Sequence, residues 1–204
     1  MDCQDPLKDS TKIRAAGRPR DPEVERRILA ATLRQLGEAG YSRMSVESIA
    51  AETGVGKPAI YRRWSGKADL ATAAVSTLRI QEPPVDTGAT QGDLEGILKN
   101  FRKSLLRPNG MALVGMVLAE ESHAPELLAL FRERIVEPRR KMLRTVLGRA
   151  RARGELCAEA DVEIAVATLV GAVYARYLAR GTVPADWPKR IVAMVWRGIA
   201  VYSA

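Results

Sequence analysis

Apolar residues recur at intervals of three and four along nearly the whole sequence, the spacing of one face of an α-helix. After Asp21 and Pro22, for example, Val24, Ile28 and Ala31 fall on one such face. Ala, Leu and Val dominate the apolar content, and the first two are strong helix formers. No stretch alternates apolar and polar residues with the β-branched enrichment that strands need. The sequence therefore predicts an all-α fold.

Glycine, proline and helix-capping residues divide the pattern into about nine helices. Their predicted ranges are 21–40, 45–54, 56–64, 67–78, 92–106, 109–121, 125–153, 161–180 and 186 almost to the C-terminus. A linker rich in Pro, Gly and Thr at 81–91 separates the short helices from the long ones. We expect a flexible basic arm over 1–20, a head over 21–80 and a larger helical body over 81–204.

The charge balance favours a polyanionic partner. Lys and Arg total 32 against 24 Asp and Glu, which gives a net charge of +8. Nucleic acid or an anionic membrane surface would attract such a chain. The basic run over 139–153 does not decide between them, because apolar residues interleave it at helical spacing. We interpret that run as the solvated face of an amphipathic helix.

Cysteine use and hydropathy predict a soluble cytoplasmic protein. The two cysteines, Cys3 and Cys157, lie far apart and have no CxxC spacing, so a disulfide framework or zinc site is not expected. The longest apolar run, over 164–175, is too short to span a bilayer. The first twenty residues lack the apolar core of a signal peptide. No membrane partner is therefore expected.

The most informative stretch runs from Ser45 to Leu70. It contains two short helices joined by a tight turn, in which Gly54 can adopt a positive φ. Small apolar residues would lock the two helices together: Val46, Ile49, Ala50, Val55 and Ile60. This arrangement is a helix-turn-helix, whose second helix enters the major groove of DNA. The three head helices and a fourth, linking helix thus form a DNA-binding head.

The second helix carries side chains suited to DNA. Lys57 suits a guanine edge or a phosphate, and Ala59 suits a thymine methyl group. Tyr61 and Arg63 can reach phosphates, and Lys67 opens the next helix, where a phosphate is also favoured. The predicted DNA-binding residues are Ser45, Lys57, Pro58, Ala59, Tyr61, Arg62, Arg63 and Lys67, with Arg18 and Arg20 of the arm. The arm either enters the minor groove or is a disordered tail.

The head resembles the tetracycline-repressor (TetR) family of regulators. The matching residues are Gly40-Tyr41, Ser45-Val46, Ile49-Ala50, Gly54-Val55, the run from Ile60 to Trp64, Lys67 and Leu70. They cover the first third of the chain. Gly56 departs from the family, which often has a Ser cap there, although Gly is a tolerated cap. The resemblance implies a homodimer whose last two helices form a four-helix interface.

The last two predicted helices carry stripes that suit such an interface. Small residues along them permit close approach of a partner helix, and we assign the interface to Ile164, Thr168, Gly171, Ala175, Leu178, Ile191, Met194, Val195 and Gly198. The alternative is that these residues belong to the core of a single chain. The chain has few other helices to cover both faces, which favours the interface.

The remaining body helices would then enclose a ligand pocket. Its predicted residues are Phe101, Leu105, Met111, Val114, Met116, Leu118, Leu127 and Phe131. Met and Phe side chains suit an adaptable, mostly apolar site. Glu120, Glu121 and His123 near one end suggest an effector that is cationic or carries one polar group. Alternatively, these side chains fill one another and leave no pocket.

No Ser/His/Asp set, phosphate-binding glycine loop or metal-ligand spacing is present in the sequence. We therefore expect no catalytic residues, metal or cofactor. The sequence predicts a repressor that binds double-stranded DNA at a pseudo-palindromic operator and is released by an unknown, mostly apolar small molecule. The alternative is a ligand-independent regulator or architectural protein whose body only dimerises.

Overall fold

A computed structural model describes residues 21–78 and 86–201. In these ranges the regular structure is helical apart from one isolated bridge between Leu156 and Ala200, so the all-α prediction is confirmed. The elements are α1 (Pro22–Arg43), α2 (Val46–Thr53), α3 (Lys57–Tyr61), α4 (Lys67–Ser76), α5 (Thr90–Leu105), α6 (Gly110–Ala119), α7 (Pro125–Phe131), a π-helical turn (Arg132–Val136), α8 (Glu137–Ala152), α9 (Val162–Arg180) and α10 (Trp187–Ile199).

Helix α1 begins as its sequence predicts and ends slightly later. The Asp21 carboxylate accepts a hydrogen bond of 3.0 Å from the Glu23 backbone N–H, and Pro22 occupies the first turn. Gly40 interrupts the helix with φ 77° and ψ 172°, where the stop was predicted. One further turn continues to Arg43 and places Tyr41 in the core.

Helices α2 and α3 form the predicted hairpin. The Ser45 hydroxyl oxygen accepts from the Ser48 N–H at 3.3 Å and caps α2. Gly54 ends α2 in the left-handed region with φ 65°, which glycine adopts without steric cost. Helix α3 is shorter than predicted, because the N–H groups of Arg63 and Trp64 both bond to the Ile60 carbonyl and tighten the chain into a turn.

The described residues form two large apolar cores and a third, small cluster of Ala150, Leu156 and Ala160. The first joins the head to the body, since Leu113 and Val117 of α6 and Leu127 and Phe131 of α7 lie in one cluster with α1, α2, α3 and α4. The second is formed by α5, α8, α9 and α10. Helix α6 therefore packs against α1, and α7 packs against α4.

The continuous helical segment that begins at Pro125 contains a π-helical turn, which was not predicted from the sequence. Pro138 has no N–H and cannot donate to the carbonyl four residues earlier, that of Arg134. The residue before this proline, Glu137, donates its N–H to the Arg132 carbonyl, five residues back rather than four. Turns of this kind are frequent at functional sites.

Helix α9 begins at an Asp161 cap, which accepts from the Ile164 N–H at 3.0 Å, and ends at Gly181 with φ 67°. It is longer than the apolar run that the sequence analysis measured. Within the described ranges Val162–Arg180 is one helix that could cross a membrane by length and composition, and 22% of its most apolar window is buried. One such helix is weak support for a membrane span, because helices buried in cores pass the same test.

Candidate nucleic-acid interface and ligand cavity

Most of the predicted DNA-binding residues lie on α3 and directly after it. Lys57, Pro58, Tyr61 and Arg62 are exposed, and Ala59 is half-buried. Half of the Tyr61 surface is accessible to solvent, which is a large exposed fraction for an aromatic side chain. The structure thus gathers a cationic and aromatic surface at the recognition helix.

Two other predicted contacts have partners within the protein. The Arg63 guanidinium donates to the Ala59 carbonyl at 2.9 Å and is half-buried. The Lys67 ammonium donates to the Ser42 carbonyl at 3.0 Å and lies 4.6 Å from the centre of the Tyr41 ring. Both residues brace the head in this conformation, and their contact with phosphates stays a prediction.

Ser45 has a local role, since its hydroxyl donates to the Glu47 carboxylate at 3.1 Å while it caps α2. Arg18 and Arg20, predicted to reach the minor groove, lie outside the described residues.

An acidic residue that the sequence analysis overlooked stands beside the recognition helix. Glu47 of α2 lies 3.0 Å from the Lys57 ammonium. The hydrogen bond from Lys57 lowers the pKa of the Glu47 carboxyl, and the same bond raises the pKa of Lys57. Both groups are therefore charged at neutral pH, and Lys57 is paired with Glu47 in the protein alone.

Glu47→Gln is expected to strengthen binding to DNA of any sequence by about three- to tenfold and to steepen its salt dependence by about one unit, because Lys57 is released to a phosphate. Fluorescence anisotropy with random duplex DNA at several salt concentrations measures both quantities. Glu95→Gln is the control, since Glu95 forms a similar pair with Lys99 on α5, 3.2 Å apart. Equal effects of the two variants would show that Glu47 has no special place at the interface.

The predicted dimer interface is an exposed apolar face. Ile164, Leu178 and Met194 leave 65%, 78% and 72% of their surface accessible. A Cβ atom added at Gly171 or at Gly198 would meet nothing within 4 Å. Of the other residues assigned to the interface, Thr168 and Ala175 are exposed and Val195 is half-buried. Ile191 is buried within the chain. Ile191 belongs to the second core and Val195 packs against it, and the other residues of the stripe are exposed.

A cavity of about 430 Å³ lies between α6, the continuous helical segment from α7 to α8, and α9. Its lining consists of Met111, Val114, Gly115, Leu118, Leu128, Phe131, Arg132, Val136, Arg139, Arg140, Val170, Tyr174 and Leu178. Leu118 and Leu178 are exposed, so the cavity opens to solvent on their side. Leu178, which the sequence analysis assigned to the dimer interface, stands at this opening.

Four of the eight predicted pocket residues line this cavity: Met111, Val114, Leu118 and Phe131. Phe101 and Leu105 line a smaller cavity of about 50 Å³, whose wall includes Val114 and Arg139 of the larger one. Met116 and Leu127, the other two predicted pocket residues, line neither of these two cavities. Both pack in the core that joins the head to the body.

The three residues that suggested a cationic or polar effector group, Glu120, Glu121 and His123, do not line the cavity. Glu120 accepts a hydrogen bond from the Ser42 hydroxyl, and Glu121 lies 3.6 Å from Arg132. His123 is exposed beside Ser122, at 3.3 Å. None of the described lining residues is acidic. In the described part of the chain, no three His, Cys, Asp or Glu side chains gather as metal ligands.

Arg139 is the most buried cation of the cavity wall, with 9% of its surface exposed. Its guanidinium carbon lies 4.0 Å from the centre of the Phe101 ring, and the Tyr174 ring meets Phe101 edge-on at 5.3 Å. Burial raises the pKa of the Tyr174 hydroxyl and outweighs the opposite effect of Arg139. Arg139 was predicted to lie on a solvated face, but its spacing puts it on the buried, apolar stripe of α8.

A pair of charged residues connects the cavity wall with the head. The Asp69 carboxylate of α4 accepts from the Ser65 N–H at 2.7 Å and from the Ser65 hydroxyl at 3.0 Å. Its other oxygen accepts from Arg134 of the π turn. Arg132 and Val136 of that same turn line the cavity. One turn of helix thus lines the cavity and, through Asp69, is linked to the segment that follows α3.

Desolvation raises the pKa of the Asp69 carboxyl, but the hydrogen bonds from Arg134 and Ser65 outweigh it and leave the pKa below its usual value. This ion pair therefore stabilises the fold at neutral pH, and its contribution is lost as the pH falls through the lowered pKa. Asp69 and Arg134 lie 65 residues apart, so no local pattern could have paired them.

Two family models match the chain. The model for bacterial regulatory proteins of the tetR family covers residues 28–74, and the tetracyclin repressor-like C-terminal domain covers residues 84–195. The chain is 30% identical over 193 residues to an uncharacterized HTH-type transcriptional regulator, YdeS of Bacillus subtilis, covering 92% of this chain and 96% of YdeS.

Solved structures share the fold. The TetR family transcription regulator SCO0332 superposes with a TM-score of 0.65 at 26% identity, covering 86% of this chain and 98% of that one. The transcriptional regulator FadR from Bacillus subtilis, solved in complex with stearoyl-CoA, gives a TM-score of 0.64 at 17% identity, covering 85% of this chain and 98% of FadR. At that identity the likeness to FadR concerns the fold alone.

Proposed function

The chain belongs to the TetR family of transcriptional regulators, and from this premise we propose that it is a homodimeric repressor that a small molecule releases from a pseudo-palindromic operator. In this proposal the head, over 21–80, binds double-stranded DNA in the cytoplasm, and the body, over 81–204, dimerises and binds the effector. The observation that carries the release is the π-helical turn, which forms part of the cavity wall and also holds Asp69 of the head.

Helix α3 enters the major groove. Lys57 stands at its N-terminal end, the part of a recognition helix that meets base edges, and donates to a guanine or a phosphate. Tyr61 and Arg62, both exposed, reach phosphates and set the register of the head on the duplex without reading sequence.

The exposed faces of α9 and α10 pair with the same faces of a second chain about a twofold axis. Ile164 and Met194 supply apolar area, and Gly171 and Gly198 allow the helices to approach closely. A twofold dimer reads two half-sites whose centres lie about 34–36 Å apart or somewhat more. The operator is therefore pseudo-palindromic.

The cavity is the effector site. Its volume of about 430 Å³ lies within the range of ligand pockets, about 300–1,000 Å³. FadR, a protein of the same fold, was solved with stearoyl-CoA, which supports a ligand-binding role for a body of this kind. A mostly apolar molecule fits the aliphatic and aromatic part of the wall.

The effector acts through the π turn. A ligand against Arg132 and Val136 shifts the turn, Arg134 moves with it, and the shift reaches the Asp69 carboxylate that holds Ser65 directly after the recognition helix. The ligand releases DNA only as far as it binds the non-DNA-binding conformation more tightly than the other. Operator and effector then weaken each other's binding by the same factor.

Arg134→Met is expected to leave the operator affinity of the ligand-free protein within about threefold, because Asp69 keeps its hydrogen bonds to Ser65. The factor by which effector weakens operator binding, typically about 5- to 150-fold in coupled systems, should fall towards one. Anisotropy titrations of operator with and without the releasing compound measure it. Arg144→Met is the control, since the ion pairs of Arg144 with Glu137 and Glu163 lie outside the cavity wall. Undiminished coupling in Arg134→Met would remove this residue from the route.

The proposal is tested with an operator recovered from random DNA and a panel of amphiphiles of both charges. At least one compound that binds the cavity should weaken operator binding at least fivefold, and operator should weaken that compound's binding equally. Val114→Trp should abolish the response and keep DNA affinity. If every compound that binds the cavity leaves operator affinity unchanged, the protein is a ligand-independent regulator whose body only dimerises.

A further inference from the structure

We propose that the cavity selects an amphiphile with an anionic group, a carboxylate, sulfonate or phosphate, which the Arg139 guanidinium binds. The inference rests on the proposed role of the cavity as effector site and names the chemical class of the effector.

The charge of the wall has one sign. Three of the 13 lining residues are arginines, Arg132, Arg139 and Arg140, and none is Asp or Glu. Arg132 and Arg140 form ion pairs with Glu121 and Glu163, at 3.6 and 2.9 Å, and neither glutamate lines the cavity. Both glutamates are exposed, so these ion pairs draw Arg132 and Arg140 towards solvent.

Arg139 differs from the other two by its burial and its place. It is 9% exposed and lines both the large cavity and the small one beside it. Its guanidinium lies over the Phe101 ring and forms a side-chain hydrogen bond with Tyr174, two contacts that hold the plane in which its N–H donors lie. Donors held in this way suit the paired oxygens of a carboxylate or sulfonate.

The remainder of the wall is apolar and would receive the body of the ligand. Val114, Phe131 and Val170 line it, and Met111 and Leu128 add further aliphatic surface. An apolar cation would place like charge against Arg139 in a partly desolvated site, which is unfavourable. An anion on an aromatic or aliphatic body satisfies both parts of the wall at once.

Two fluorescent probes with the same carbon skeleton test the charge directly. 8-Anilino-1-naphthalenesulfonate carries an anionic group, and N-phenyl-1-naphthylamine lacks it. With the full-length wild-type protein we expect saturable binding of one sulfonate per protomer and binding of the amine that is at least about tenfold weaker. Dodecanoate should displace the sulfonate, and dodecyltrimethylammonium should not.

Substitutions then assign the difference to Arg139. Arg139→Met should weaken sulfonate binding about 10- to 100-fold and change amine binding less than about twofold. Arg139→Lys should restore part of the loss, because the charge returns without the paired donors. Lys141→Met is the control, since it removes one exposed charge from the same helix.

Gly115→Phe shows where the probes bind. Gly115 lines the cavity, and nothing lies within 4 Å of a Cβ atom built on it, so the ring can fill the cavity without straining the fold. The variant should abolish binding of both probes.

Equal affinity of the two probes in the wild-type protein, or displacement by the cationic detergent, would overturn the anionic class whether or not Arg139→Met folds. So would unchanged sulfonate binding in folded Arg139→Met, or binding that survives Gly115→Phe. Failure of the proposed function is a separate result, namely an operator affinity that no cavity-bound compound alters.

Discussion

Replacing Gly171 with glutamate is expected to turn the protein into a monomer and to lower its operator affinity by about 10²- to 10⁴-fold. Gly171 lies on the exposed face of α9, where a side chain meets nothing in its own chain. The variant chain therefore folds, but pairing two chains would bury a glutamate from each near the twofold axis, and an uncompensated buried charge costs about 3–5 kcal/mol. Without the dimer each head binds its half-site alone, and the gain from linking two binding modules is lost.

Light scattering coupled to size-exclusion chromatography and operator titrations measure the two effects. Gly148→Glu is the matched control, because Gly148 is exposed on α8 and its added Cβ also meets nothing within 4 Å. If Gly171→Glu stays dimeric and binds operator like Gly148→Glu, the interface lies elsewhere on the body.

The charge reversal Lys57→Glu is expected to weaken operator binding at least about hundredfold, corresponding to about 2.7 kcal/mol. It removes the cation at the N-terminal end of the recognition helix and sets a second carboxylate beside Glu47. Two acids would then face the phosphates, and like-charge juxtaposition across an interface costs several kcal/mol. Because Lys57 is exposed, the melting temperature should change little.

The control is Lys141→Glu, which makes the same change of net charge on the exposed face of α8. It accounts for the loss of long-range attraction to DNA. A loss of operator affinity no greater in Lys57→Glu than in Lys141→Glu would mean that α3 does not contact the operator.

The head could be predicted from the sequence because its determinants are local. Gly54 and the Ser45 cap set the turn and the start of α2 within a few residues of one another. The overlooked contact there, between Glu47 and Lys57, joins neighbouring helices and becomes visible only once α2 and α3 are placed side by side.

The body was predicted less completely because its cavity depends on how distant helices pack. An apolar residue such as Leu127 reads equally well as pocket or core, and only its contact with the head assigns it to the core. Arg139 reads as a surface residue by type and as a core residue by spacing, and the ring of Phe101 decides between them. The link from Arg134 to Asp69 has no local counterpart in the sequence.

Selection of duplexes from random DNA by the full-length protein, followed by sequencing and by measurement of the stoichiometry on the enriched duplex, tests the central claim most directly. A dimeric helix-turn-helix repressor should enrich a pseudo-palindrome with half-site centres about one helical turn apart, or somewhat more, and should bind it with at least two chains. Failure to enrich any sequence, or enrichment of a single half-site bound by one chain, would contradict this account.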